Sequence, residues 1–88
     1  LIWQLPVHKD YEENLKSDIA DLCNISSEKN AGTIMGGIFL KNFISGTPWA
    51  HIDIAGTAHF SKSRGYRPKN ATGFGVRLLV EALKHWQD

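Results

Sequence analysis

Apolar side chains recur along this chain with two different periods, and the changes of period divide it into elements. Over residues 1–7 they alternate at Leu1, Trp3, Leu5 and Val7, which predicts a short strand or extended arm. Pro6 has no amide proton to give to a ladder, which argues against a central strand. Residues 10–20 follow a helical period, with Tyr11, Leu15, Ile19 and Leu22 on one face; whether the helix runs as far as Leu22 is left open. Asp10 stands as its N-cap, and Glu13 three residues on gives the spacing of a capping box. Residues 23–30 are polar and read as a loop. Residues 31–44 form the strongest apolar helix pattern, through Ile34, Met35, Ile38, Phe39 and Phe43. Gly36 and Gly37 weaken that helix by roughly 1 kcal/mol each relative to alanine. Close approach to another backbone, such as a sheet, is the expected compensation. Ser45-Gly46-Thr47-Pro48 ends the helix.

Period two returns at residues 49–55. Trp49, His51, Asp53 and Ala55 point one way, and Ala50, Ile52 and Ile54 the other, the clearest strand in the chain. The small residues Gly56-Thr57-Ala58 follow, then a polar loop over residues 59–71. Thr72 is placed to cap a last helix that carries Val76, Leu79, Val80, Leu83 and Trp86 on one side, with Glu81 and Lys84 on the other. The order predicts an α/β class: one central strand, three helices and an N-terminal strand or arm. A single strand is not a sheet, so its partners are expected from elsewhere. The first residue is Leu1 rather than Met, and the chain reads as a piece cut from something longer.

Composition narrows the function classes. Hydrophobic residues make up 42% and charged residues 22% of the 88, the balance of one small globular domain. The net charge of +1 is too even to suggest nucleic acid or a membrane as partner. No apolar run approaches the ~20 residues of a membrane span, and no signal peptide is recognisable. The lone Cys23 excludes an intrachain disulfide, so a reducing, cytoplasmic setting is the default. Asn24-Ile25-Ser26 and Asn70-Ala71-Thr72 match the glycosylation pattern, which is short and carries no weight without a secretory route.

Four constellations bear on chemistry. His51 and Asp53 share one strand face and, with His59, suggest a metal site or an oriented base. Only two ligands are placed against the three that a metal needs, so a hydrogen-bonded polar pair in a buried strand is preferred. Cys23 has no neighbour in sequence that would activate it as a nucleophile with His51 or His59, and reads as a buried thiol. Gly73-Phe74-Gly75 lacks the third glycine and the preceding strand of a dinucleotide loop, and reads as a tight lead-in to the last helix. Lys62, Arg64, Arg67 and Lys69 are separated by Gly65, Tyr66 and Pro68. They read as a solvated loop in preference to a phosphate patch.

Three blocks carry a resemblance: Lys16-Ser17-Asp18-Ile19-Ala20-Asp21-Leu22 with Asn24-Ile25 and Ala31-Gly32; Trp49-Ala50-His51-Ile52-Asp53-Ile54-Ala55-Gly56-Thr57-Ala58; and Gly65-Tyr66 with Lys69-Asn70-Ala71-Thr72-Gly73-Phe74-Gly75-Val76-Arg77. In order and spacing they resemble the C-terminal part of the leucyl (cytosol) aminopeptidase family. The resemblance implies that residues 1–88 are the C-terminal portion of an αβα sandwich catalytic domain. The parent would be a hexameric di-metal exopeptidase that releases N-terminal, leucine-like residues from peptides with two divalent ions, zinc or manganese. The metal-binding and catalytic residues of that family lie upstream of the matched region, so no catalytic or metal role passes to any residue here. By position, Ile25, Ala55 and Ala58 fall where the family lines the pocket for the first substrate side chain. Without the resemblance, both alanines would be read as mere helix packing. Two departures stand out: Ser26-Ser27-Glu28-Lys29-Asn30 where the family more often has glycine and arginine or tyrosine, and Gly36-Gly37 in place of an alanine pair. A small non-enzymatic interaction module, pairing through its strand edge and apolar helix faces, is the alternative.

Overall fold

The computed structural model describes residues 2–26 and 28–87. The chain divides into two compact units, Leu1–His51 and Ile52–Asp88.

In the first unit, residues 2–7 form no strand, and Leu1 lies outside the described residues. The first element is a 3₁₀ helix, Lys9–Leu15. Its N-cap is His8, not Asp10; the His8 Nδ1 accepts from the Asp10 amide at 3.4 Å. Asp10 lies inside the first turn, where a carboxylate still favours the helix dipole. Glu13 reaches forward to the Lys16 ammonium at 2.6 Å rather than back to a cap. The expected run to Ala20 stops at Leu15 because Ser17 competes for the backbone. Its hydroxyl accepts from the amides of Ile19 and Ala20 at 3.3 and 3.2 Å. The Cys23 amide then donates to the Leu15 carbonyl at 2.8 Å and turns the chain back. Leu15 is buried, whereas Ile19 is 97% exposed.

Helix α1 spans Gly32–Lys41. Leu15, Met35 and Ile38 form the core of this unit, with Tyr11, Leu22, Ile34 and Phe39 packed around it. Periodicity therefore placed the buried face of α1 correctly. The helix ends three residues short of Ile44, where the Asn42 side-chain amide donates to the Ile38 carbonyl at 2.9 Å. Phe43, expected in the apolar stripe, is 66% exposed and meets Phe39 edge-on at 5.2 Å. What approaches the two glycines is a side chain, not a backbone. The His51 ring lies against buried Gly37 and stacks on Trp49 at 6.2 Å.

The central strand expected over residues 49–55 is corrected by the structure. No residue from 49 to 55 belongs to a strand. A strand exists through its ladder, and no described segment supplies one here. The strands found are β1, His59–Phe60, and β2, Asn70–Ala71, both inside the stretch read as a polar loop. They pair antiparallel, His59 opposite Ala71 and Phe60 opposite Asn70. Near the tip, Arg64 and Arg67 exchange two backbone hydrogen bonds of 3.0 Å across Gly65 and Tyr66. Gly65 has a φ of 57°, as a two-residue hairpin turn with glycine at its first central position requires.

Helix α2 spans Val76–Lys84. Its N-cap is Gly75, at φ 90°, with no side-chain cap. Thr72 is engaged elsewhere, for its hydroxyl donates to the Thr57 carbonyl at 2.6 Å and accepts from the Phe74 amide at 3.2 Å. The apolar face of α2 is legible in sequence and open in the structure, for Val76, Leu79, Val80, Leu83 and Trp86 are all exposed. With three helices and a two-stranded sheet, the described chain is compatible with an α/β fragment.

Candidate functional site

The residues singled out by resemblance begin with a turn in the second unit. The Asp53 carboxylate accepts from the Ala55 amide at 2.8 Å, an Asx turn that bends the chain two residues on. The amides of Thr57 and Ala58 both donate to the Ile54 carbonyl, at 2.9 and 2.8 Å. The Thr57 hydroxyl donates to the same carbonyl at 3.2 Å. One carbonyl thus gathers three donors and brings Ala55 and Ala58 onto a single tight turn. Ala55 is exposed and Ala58 half-buried. Among the described residues beyond its chain neighbours, nothing stands within 4 Å of the position a Cβ on Gly56 would take. At Ala55 and Ala58 this turn offers methyl groups, which suit van der Waals contact with an apolar group.

Ile25 lies in the first unit and is 81% exposed. Its carbonyl accepts from the Cys23 thiol at 2.9 Å, so the lone thiol is engaged locally and only half-buried. The loop that departs from the family pattern includes Ser27, which lies outside the described residues; there the Ser26 hydroxyl accepts from the Glu28 amide at 3.1 Å.

The other constellations are not assembled into reaction centres. His51 and Asp53 are exposed, not buried on a strand. His51 packs on Gly37, and the Asp53 carboxylate serves the turn. Among the described residues, no group of three or more histidine, cysteine, aspartate or glutamate side chains is placed to hold a metal ion. Gly73 and Gly75, at φ 64° and 90°, make the tight lead-in to α2 that their spacing predicts.

One feature goes beyond the solvated loop expected for Lys62, Arg64, Arg67 and Lys69. An open cleft of about 320 Å³ in the second unit is lined by Phe60, Tyr66, Arg67, Thr72, Gly73 and Arg77, among others. The Arg67 guanidinium stands 5.9 Å from the Phe60 ring centre and 5.7 Å from that of Tyr66. Arg77 stands 5.5 Å from Tyr66, and Arg64 5.9 Å from Phe60. The sequence does hold a signal for it. Residues 54–80 hold five of the ten Lys and Arg and none of the nine Asp and Glu, an asymmetry that the near-zero total conceals.

The described residues are compatible with a short piece of α/β structure, with small residues on the turn at residues 55–58. Residues 1–80 match the family model described as the cytosol aminopeptidase family, catalytic domain. The chain belongs to that family. The probable cytosol aminopeptidase of Geobacter sp. (strain M21) is 55% identical over 83 residues, covering 94% of this chain and 17% of that protein. The protein of the same name from Syntrophobacter fumaroxidans is 50% identical over 88 residues, 99% of this chain and 17% of its own length. That of Cenarchaeum symbiosum is 49% identical over 86 residues, with 94% and 18% covered. The chain thus spans about a sixth of the length of the curated relatives it matches.

Proposed function

We propose that residues 1–88 are the C-terminal portion of the catalytic domain of a metalloaminopeptidase. The parent releases N-terminal residues, leucine-like ones by preference, from peptides. The observation that carries this reading is the family match over residues 1–80, in a chain that spans 17% of its relative's length. The exposed apolar face of α2 supports it, because Leu79, Val80, Leu83 and Trp86 suit burial against further protein. A self-standing interaction module would present the same face; the family match favours the peptidase.

In this reading the segment completes an αβα sandwich, whose other layers come from the rest of the same chain, and walls the specificity pocket. Ala55 and Ala58 keep the turn after Asp53 low, leaving room for a leucine-sized side chain, and Ile25 adds apolar surface. Two divalent ions, zinc or manganese, would supply Lewis-acid activation and a water-derived nucleophile. They would be held by parts of the parent outside these 88 residues, so this segment by itself is inactive. A cytoplasmic homo-hexamer is the assembly expected of the parent.

Hydrolysis of leucine-p-nitroanilide with added Mn²⁺ or Zn²⁺ tests the reading, on the full-length protein and on the 88 residues alone. Activity confined to the full-length protein is expected. Turnover by the 88 residues alone would refute it.

A further inference from the structure

The cleft of the second unit gathers arginine side chains beside the turn that carries Thr57. Its guanidiniums are held by rings instead of carboxylates. The ion pairs among the described residues are His8 with Asp10, Lys16 with Glu13, and Lys84 and His85 with Glu81; Arg64, Arg67 and Arg77 take part in none. A guanidinium stacked over an aromatic face keeps its in-plane N–H groups available, and that planar fork matches the oxygens of a tetrahedral oxyanion. Concentrating three guanidiniums on Phe60 and Tyr66, in a stretch with no acidic residue from 54 to 80, sets up mutual repulsion that an anion would relieve.

The start of α2 adds to the same field. Gly73, Gly75 and Arg77 line the cleft, the N-cap Gly75 offers no side chain, and the first turn carries no acidic residue. The first turn of α2 therefore supplies no carboxylate of its own to the positive end of the helix dipole. A concavity of about 320 Å³ suits a compact group rather than a polymer lying across the surface.

We propose that this cleft, between the Arg64–Arg67 hairpin tip and the start of α2, binds a phosphate group through Arg67 and Arg77. The group is either free inorganic phosphate or the phosphoryl end of a small phosphomonoester, whose organic part would lie on the Tyr66 and Phe74 rings. The cleft adjoins the turn at residues 55–58 through Thr57; the proposal rests on the reading above only for the full-length protein, and its test does not measure hydrolysis.

The experiment is calorimetric titration of the full-length protein at constant ionic strength with inorganic phosphate, phenyl phosphate and a short single-stranded oligonucleotide. Saturable binding of inorganic phosphate is expected. Phenyl phosphate binding equally well assigns the free anion, and tighter binding assigns the ester. Arg67→Gln with Arg77→Gln should weaken binding by about tenfold or more, since two charge-assisted contacts are lost. Lys62→Gln with Lys69→Gln, an equal loss of charge away from the cleft lining, should leave it within about twofold. Should the glutamine pair fail to fold, Arg67→Lys with Arg77→Lys keeps charge but removes the fork, and a loss of about threefold is expected. Binding unchanged in the arginine variants, or heat from the oligonucleotide alone, would overturn the proposal.

Discussion

The imidazole of His51 lies on the one buried glycine of α1: a Cβ added to Gly37 would stand 3.5 Å from His51 Cδ2 and 3.7 Å from its Cβ. That is ordinary van der Waals contact. The glycine is not required for the approach, and its helix-weakening cost is not offset by any unusually close packing. Gly37→Ala should therefore stabilise the protein, by up to about 1 kcal/mol from helix propensity. Gly37→Val, whose branched side chain must push into the ring, should destabilise by about 1–3 kcal/mol. Urea unfolding of the two variants checks the sign of each; destabilisation by alanine would mean that the contact with His51, not helix propensity, decides the outcome.

Thr72 ties the end of β2 to the turn at Thr57 and to the lead-in of α2 with one hydroxyl, by bonds of 2.6 and 3.2 Å. Thr72→Val keeps the shape and removes both bonds, at an expected cost of about 1–2 kcal/mol. Thr72→Ser keeps the hydroxyl and should recover most of that. Equal losses in the two variants would place the effect in the methyl group rather than in the hydrogen bonds.

Ala58 is half-buried on the turn that Ile54 organises. If it walls the pocket, Ala58→Trp in the full-length enzyme should lower kcat/KM for leucine relative to alanine substrates by about tenfold or more, since filling a hydrophobic pocket is worth about that much discrimination. An unchanged leucine/alanine ratio would remove Ala58 from the wall.

The open face of α2 predicts the behaviour of the 88 residues in isolation. With Leu79 and Leu83 exposed beside Val76 and Val80, the isolated chain should self-associate at micromolar concentration and bind a hydrophobic dye. Leu79→Lys with Leu83→Lys should abolish both in sedimentation velocity and fluorescence. A wild-type chain that stays monomeric and dye-free would instead favour a self-standing module.

The sequence by itself determined the two α-helices, because a repeat near 3.6 residues is a local property. Ile34, Met35, Ile38 and Phe39 mark α1, and Val76, Leu79, Val80 and Leu83 mark α2 wherever they are packed. It also determined the family, through blocks whose order and spacing survive without any structure. The tertiary structure decided the rest. Alternation at residues 49–55 announces a strand, but a ladder needs a second chain segment, and local pattern cannot say whether one is in reach. Ile19 has the right spacing for the core, yet Ser17 takes the amides that would have carried the helix to it. The polar stretch 59–71 has no periodicity to reveal β1 and β2; their pairing rests on a turn at Gly65-Tyr66 and on backbone bonds between Arg64 and Arg67. Only that hairpin brings Arg67 and Arg77, ten positions apart in sequence, to the ring of one tyrosine, because a charge cluster is made by distance in space and not by distance along the chain.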